Sequence, residues 1–258
     1  MKKLAIASAL LSALAVTGTA NAYQAEIGAS AGYIDPDNGS SGYSLGAEGT
    51  YYFNPVQTRN APLAEAAFLD RASNVKAQVQ YQDYDNNLEV TDYGAGIEYF
   101  VPNSDFYMSG NVSNQNVDYG VADDDTTYYS AEVGYLPAPG FLLAVGAKGY
   151  DNDHDDGVDP TIRAKYVTQM GGKDINLEAG ASFGDLDEYN LAADYYIDKS
   201  FSIGADYYSN DLTDRDEFGI NARKFFTPQV SLEGRVGFGE TAANNDYNTF
   251  GVAAKYRF

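Results

Sequence analysis

From Tyr23 to the last residue, apolar and polar side chains alternate with a period of two. In the closing segment Phe250, Val252, Ala254, Tyr256 and Phe258 share one face, and Thr249, Gly251, Ala253, Lys255 and Arg257 share the other. Val230, Leu232, Val236 and Phe238 alternate in the same way with Ser231, Glu233, Arg235 and Gly237. Such a pattern describes a strand with one apolar face and one polar face. It predicts fourteen strands, at about 23–33, 43–54, 74–83, 90–101, 105–117, 127–136, 141–150, 160–169, 174–183, 189–198, 200–208, 217–226, 229–239 and 248–258. An even number allows a single antiparallel sheet to close with both termini at one end. The expected fold is all-β, a transmembrane antiparallel up-and-down β-barrel formed by residues 23–258 as one domain, with both termini periplasmic.

The apolar face has aromatic ends and an aliphatic middle. Tyr23, Phe53, Tyr99, Phe106, Tyr135, Phe141, Phe201, Phe226 and Phe258 fall near the periplasmic ends of the expected strands, and Tyr33, Tyr43, Tyr81, Tyr129, Phe183, Tyr189, Tyr207, Phe218, Phe238 and Phe250 near the external ends. Two such girdles suit two membrane–water interfaces, whereas a soluble sandwich would gather its rings in a central core. The connections alternate as well. Odd-numbered ones, such as Asp118 to Asp125 and Asp151 to Asp159, are expected to be long external loops, and even-numbered ones, such as Asp198-Lys199, tight turns.

Charge sharpens this picture. The chain carries -21 overall. Lys2 and Lys3, the apolar run Leu4 to Val16 and the small-x-small ending Ala20-Asn21-Ala22 read as a signal peptide over 1–22, whose removal would leave -23. So acidic a chain is a poor partner for nucleic acid, because phosphates call for Lys and Arg. Its 23 tyrosines and 13 phenylalanines argue against acidic disorder. The odd connections and their flanks hold 23 of the 37 acids and one base, Arg215, while the rest of the mature chain is balanced to within a single charge. The acidic surplus therefore belongs to one rim. No cysteine is present, so neither disulfides nor thiol chemistry is available.

If the apolar face meets lipid, the other face lines an interior. It carries Glu26, Glu48, Lys76, Asp92, Glu98, Glu132, Lys148, Arg163, Lys165, Glu178, Asp194, Asp206, Arg223, Glu233, Arg235, Lys255 and Arg257 as candidate pore-lining residues. Fourteen strands give a backbone radius of roughly 14 Å, too wide for side chains alone to fill. Bases gather on strands 7–8 and 12–14, acids on 1–2 and 9–11. Two readings stand side by side: opposed walls of charge that orient solutes, or pairs across the lumen that stiffen the wall.

The second connection, Pro55 to Ala72, should be a tight turn, yet it is about 18 residues long. Pro62 to Ala72 reads as a short helix with Leu63, Ala66, Ala67 and Phe68 on one side. An apolar stripe in a long loop argues against disorder. The segment, with Pro62, Leu63, Glu65, Phe68 and Leu69, is either an inner gate folded into the lumen mouth or a cap on the rim.

Gly49 to Phe53, Ala61 to Leu69 and Ala72 to Val75 resemble the putative-porin family of Gram-negative outer membranes, in particular its small gated monomeric porins. The resemblance extends over the whole chain through the alternating strands and the ending Lys255 to Phe258. It implies a fourteen-stranded channel for water and small solutes. Partners expected on this reading are outer-membrane lipid and lipopolysaccharide, small polar solutes and cations, and the barrel-assembly machinery, read through the terminal Phe258. The chain is expected to act as a monomer in the cell outer membrane, without cofactor or nucleic acid.

Chemistry is sparse. His154, the single histidine, lies in an acidic loop rather than on the wall, where a membrane hydrolase would need it, so no catalytic residues are assigned and an enzyme is not expected. Asp151 to Gly157 places acids at alternate positions, but compared with a calcium loop its glycine is displaced by one and Ile162 stands at the closing carboxylate position, so no metal site is assigned. Two function classes remain: a diffusion porin, and a non-conducting barrel serving structure or adhesion.

Overall fold

A computed structural model describes residues 22–85, 87–120, 122–185, 187–211, 214–241 and 245–258; the expected leader otherwise lies outside these residues. The strands are β1 (Ala22–Pro36), β2 (Gly42–Gln57), β3 (Asn74–Tyr84), β4 (Leu88–Phe100), β5 (Phe106–Asp118), β6 (Asp123–Ala138), β7 (Phe141–Asn152), β8 (Asp156–Met170), β9 (Lys173–Ser182), β10 (Glu188–Asp198), β11 (Phe201–Asn210), β12 (Arg215–Phe225), β13 (Val230–Thr241) and β14 (Asn245–Arg257). Each pairs antiparallel with its sequence neighbours, and β1 pairs with β14 to close the barrel. Closure leaves no strand edge, which is the condition for β-structure in hydrocarbon.

Both termini lie at one end, called here the near end. The seam is knitted there: Gln24 and Ala25 both donate their amides to the Phe258 carbonyl, and Phe258 donates back to Ala25. Two amides on one carbonyl form a β-bulge, and the β1–β2 register shifts at the same place. The bulge carries Tyr23 to the lumen side. It is buried against Tyr52, Val56, Ala66 and Ala72 and does not join the outer aromatic ring where alternation alone puts it.

Outward positions are aliphatic in the middle of the wall and aromatic towards its ends. Val133 and Val145 are 62% and 58% exposed, a surface that only lipid would cover. Ring pairs mark both margins: Phe106–Tyr135 and Phe141–Tyr166 at the near end, Tyr43–Tyr81 and Phe183–Tyr189 at the far end.

The far-end connections differ from expectation. Asp118 pairs with Asp123 and Asp151 with Asp156, so the acidic segments are ladder, not loop. Three residues join β7 to β8 and four join β5 to β6. Alternation fades there because both faces are polar above the membrane, whereas backbone pairing needs no apolar face to continue. His154 sits in the β7–β8 turn, where its amide donates to Asn152 Oδ1 at 2.9 Å.

At the near end β6 and β7 are joined through Gly140, whose φ is +73° and whose absent Cβ would strike the Val167 carbonyl. Gly171 in the β8–β9 turn has a similar φ of +62° but open space around it. Gly171→Ala is expected to cost about 1 kcal/mol through φ alone, and Gly140→Ala about 1–3 kcal/mol more, through displaced backbone. Urea midpoints of the refolded barrel, read from heat-modifiable gel mobility, check this; equal losses would mean that the carbonyl moves aside freely.

Candidate functional site: a lumen closed by its own turn

The second connection folds into the near half of the barrel. Leu63–Glu65 form a 3-10 turn and Ala66–Leu69 a single α-helical turn, α1. Arg71, at φ +52°, stops the helix and sends the chain back to β3. The two arms are tied at their neck, where Asp70 accepts the Gln57 amide at 2.8 Å and bridges Arg59 at 2.8 Å. Arg71 reaches the next turn through Asp105 at 2.8 Å.

One side of the turn is held by apolar contact. Tyr23, Tyr52, Val56, Ala66 and Ala72 form one buried cluster, with Ala67 against it. Phe100, Tyr107, Leu136 and Leu142 form a second, with Phe68 against it. The other side is held by polar bonds reaching across the lumen. The Leu63 amide donates to the Lys199 carbonyl at 2.8 Å, and Arg257 donates to the Leu63 carbonyl at 2.8 Å. At the β10–β11 turn, the Ser200 hydroxyl and amide donate to the Asp198 carboxylate and shape the turn that presents Lys199.

Glu65 is the centre of the plug and is 4% exposed. It accepts the Tyr196 hydroxyl at 2.7 Å and the Lys165 ammonium at 2.9 Å. Lys165 also binds Glu178 at 2.6 Å and stands 5.0 Å from the Phe68 ring centroid. A buried carboxylate is tolerated because it is paired and hydrogen-bonded. Pro62 is fully buried, and Leu69 lies beside Gly140 at the β6–β7 turn.

Above the plug, the inward charges pair along the wall. Arg163 binds Glu132 at 2.8 Å, Lys76 binds Glu98 at 3.5 Å, and Lys148 binds Glu188. Arg223 pairs with Glu233, and Arg235 with Asp206 and Glu217. Lys255 lies 2.6 Å from Glu48 and 3.7 Å from Glu26, and Glu26 also takes Arg257. Asp92 and Asp194 accept from the amides of Gln115 and Asn176. The charges thus form local pairs between nearby strands, and opposed walls of free charge are not what the geometry contains. Charge spacing on neighbouring strands favours this, since a partner 5 Å away outcompetes one across the lumen.

Alternation alone does not identify the plug's receptors. Tyr52, Phe100, Tyr107, Leu136, Leu142, Tyr196 and Phe225 all occupy inward positions near the near end, where the polar face should be hydrophilic. Large side chains breaking the polar alternation were the available signal. Lys199 could not be read at all, because it contributes only its carbonyl.

The fold agrees with comparison to known proteins. A model of the family described as "Putative general bacterial porin" matches residues 1–158 and 144–258. The chain belongs to that porin family. It is an outer-membrane β-barrel and, by family and fold, a channel. The crystal structure of the Acinetobacter baumannii outer membrane protein Omp33 is similar at 29% identity and a TM-score of 0.69, over 92% of this chain and 99% of that one. A deletion mutant of the TodX monoaromatic hydrocarbon channel aligns at 8% identity and a TM-score of 0.54, over 92% and 90% of the two chains, a likeness of fold alone. No curated protein matches.

Because the chain has no cysteine, one introduced at Ala66, itself 1% exposed, reports plug undocking without background. Maleimide labelling of Ala66→Cys in the refolded barrel should be slow. Adding Glu65→Gln should speed it about 10- to 100-fold, the loss of one or two charge-assisted bonds. Identical rates would show that the apolar clusters alone hold the turn.

Proposed function

We propose that this porin is a gated diffusion channel for water, ions and small polar solutes in the outer membrane of a Gram-negative bacterium, with the turn 55–72 as its gate. The observation that carries this reading is the docking of Glu65 and Leu63 onto β8, β10 and β14 across the lumen, by bonds that a mere rim cap would not make. On this reading the near end is periplasmic and the acidic far end faces outward. Residues 1–22 are removed on export, the terminal Phe258 addresses the chain to the barrel-assembly machinery, and the mature protein acts as a monomer among lipid and lipopolysaccharide.

The far rim supports a cation preference. Several of its acids are bonded to phenols and amides: Tyr43 donates to Asp83 at 2.6 Å, Tyr207 to Asp216 at 2.7 Å and Asn116 to Asp125 at 3.3 Å. Neutral partners leave the charge in place, so the mouth concentrates cations and repels anions. The lumen pairs below it add little net field. A docked plug equally suits a silent structural barrel, and conductance separates the two readings.

In planar bilayers the mature protein should show few and brief openings, and deletion of residues 60–70 should raise mean conductance at least about tenfold. Under a salt gradient the reversal potential should favour cations, weakening as ionic strength rises and the rim is screened. Unchanged conductance after deletion would remove the gate, and silence in both proteins would support the structural barrel.

A further inference from the structure

Beyond the plug, towards the far end, the lumen has two unlike walls. From β7 to β14 the inward residues form a continuous charged belt in which every base is compensated. Glu188 takes Lys148, the Tyr208 hydroxyl at 2.9 Å and the Asn210 amide at 3.0 Å. Glu217 takes Arg215 at 2.6 Å, Arg235 at 2.5 Å and the Tyr247 hydroxyl at 2.9 Å. Such a belt has no ionic valence to spare for a charged guest.

On the facing wall, the far halves of β1 to β3, beyond Glu26, Glu48 and Lys76, carry neutral inward side chains. Its side chains lie across glycines of the paired strand: Ser30 over Gly46, Ser44 over Gly32 and Tyr84 over Gly42. A Cβ at Gly32 would stand 2.6 Å from Ser44 Oγ, and one at Gly42 would stand 2.6 Å from the Tyr84 ring. The glycines thus let hydroxyls and a ring rest flat on the sheet. The Tyr84 hydroxyl is pinned by donating to Gln82 Oε1 at 3.0 Å, which fixes the ring as a platform. Among the described residues Ser30, Ser44 and Gln80 spend no side-chain hydrogen bond within the protein. Together with the paired belt residues Arg215, Glu217, Glu233 and Arg235 they line a cavity of about 350 Å³, open to the lumen.

We propose that this cavity binds an uncharged polyhydroxylated solute of the size of a single sugar ring. Free amide and hydroxyl groups exchange hydrogen bonds with solute hydroxyls without leaving any buried charge unpaired. The negative face of the Tyr84 ring accepts the weakly positive C–H face of a sugar, which a polyol-filled solvent contact alone would not order. The volume is within the range of small-molecule sites. A charged solute is disfavoured because it would have to displace Glu217 or an arginine from a satisfied network. The inference rests on the channel reading for its water-filled lumen, but the site lies on the far side of the plug, so equilibrium binding is independent of gating.

The test is saturation-transfer NMR of D-glucose against the refolded full mature chain in detergent, with no transport step. Transfer should be saturable. Tyr84→Leu should weaken it at least about fivefold and Tyr84→Phe less than about twofold, since the ring rather than the hydroxyl is the platform. Gln80→Leu, a second variant should Tyr84→Leu fail to fold by gel mobility, should weaken it at least about threefold. L-Glutamate and L-lysine at matched concentration should not displace glucose. Absence of saturation, unchanged binding in both leucine variants, or displacement by either amino acid would overturn the proposal. Conductance failing while glucose still binds would overturn the channel reading and leave this site standing.

Discussion

Hydrocarbon offers no partner for a backbone amide or carbonyl, and everything else in this molecule follows from that constraint. Each strand must be paired on both sides, so the sheet must close, and β1 meets β14 through the doubled bond of Gln24 and Ala25 onto Phe258. Fourteen strands then fix a circumference that side chains cannot fill. The interior must be wet or occupied. In this chain it is both: charged pairs and water-facing amides fill the far half, and a folded turn fills the near half.

The turn is held by two unlike kinds of interaction, and on the gate reading the difference decides how it would leave. Its contacts with β1–β7 are apolar, through Tyr52, Val56 and Leu142, and they stay favourable for any arrangement that keeps those surfaces covered. Its contacts with β8, β10 and β14 are directional bonds to Glu65 and Leu63. The cations making those bonds have second partners. Lys165 keeps Glu178, and Arg257 keeps Glu26. Withdrawal therefore strands no cation on the wall, and the main electrostatic cost falls on Glu65, which regains water once it leaves. The neck at Asp70, Gln57 and Arg59 ties the two arms of the turn to each other rather than to the wall.

The barrel was legible because lipid imposes a strict period of two, and all fourteen expected strands are present. Their far ends were not, because in segments such as Asp118–Asp123 acids occupy both faces and pairing proceeds without any apolar alternation. Tyr23 was misplaced because one bulge reverses the face of everything beyond it, and a bulge leaves no mark in the hydrophobic pattern. The turn stood out in the sequence by its length and its apolar stripe, but its destination did not. Its receptors are scattered over β2, β4, β5, β6, β7, β10 and β12, and only their shared depth in the barrel makes them one floor.

The division of charge between rim and lumen is itself a physical arrangement. Acids at the far end are bonded to tyrosines and asparagines, which orient a carboxylate without neutralising it, so their field reaches into solution to about the screening length. Acids deeper in the lumen are bonded to Lys and Arg, because there the lower dielectric makes an unpaired charge costly. The same residue type thus serves two ends: at the rim it leaves negative charge facing solution, and in the lumen it builds a wall whose charges are paired. The β1–β3 wall, with its serines and Gln80 lying over or beside glycines, is the part of that lumen where hydrogen bonding is still unspent.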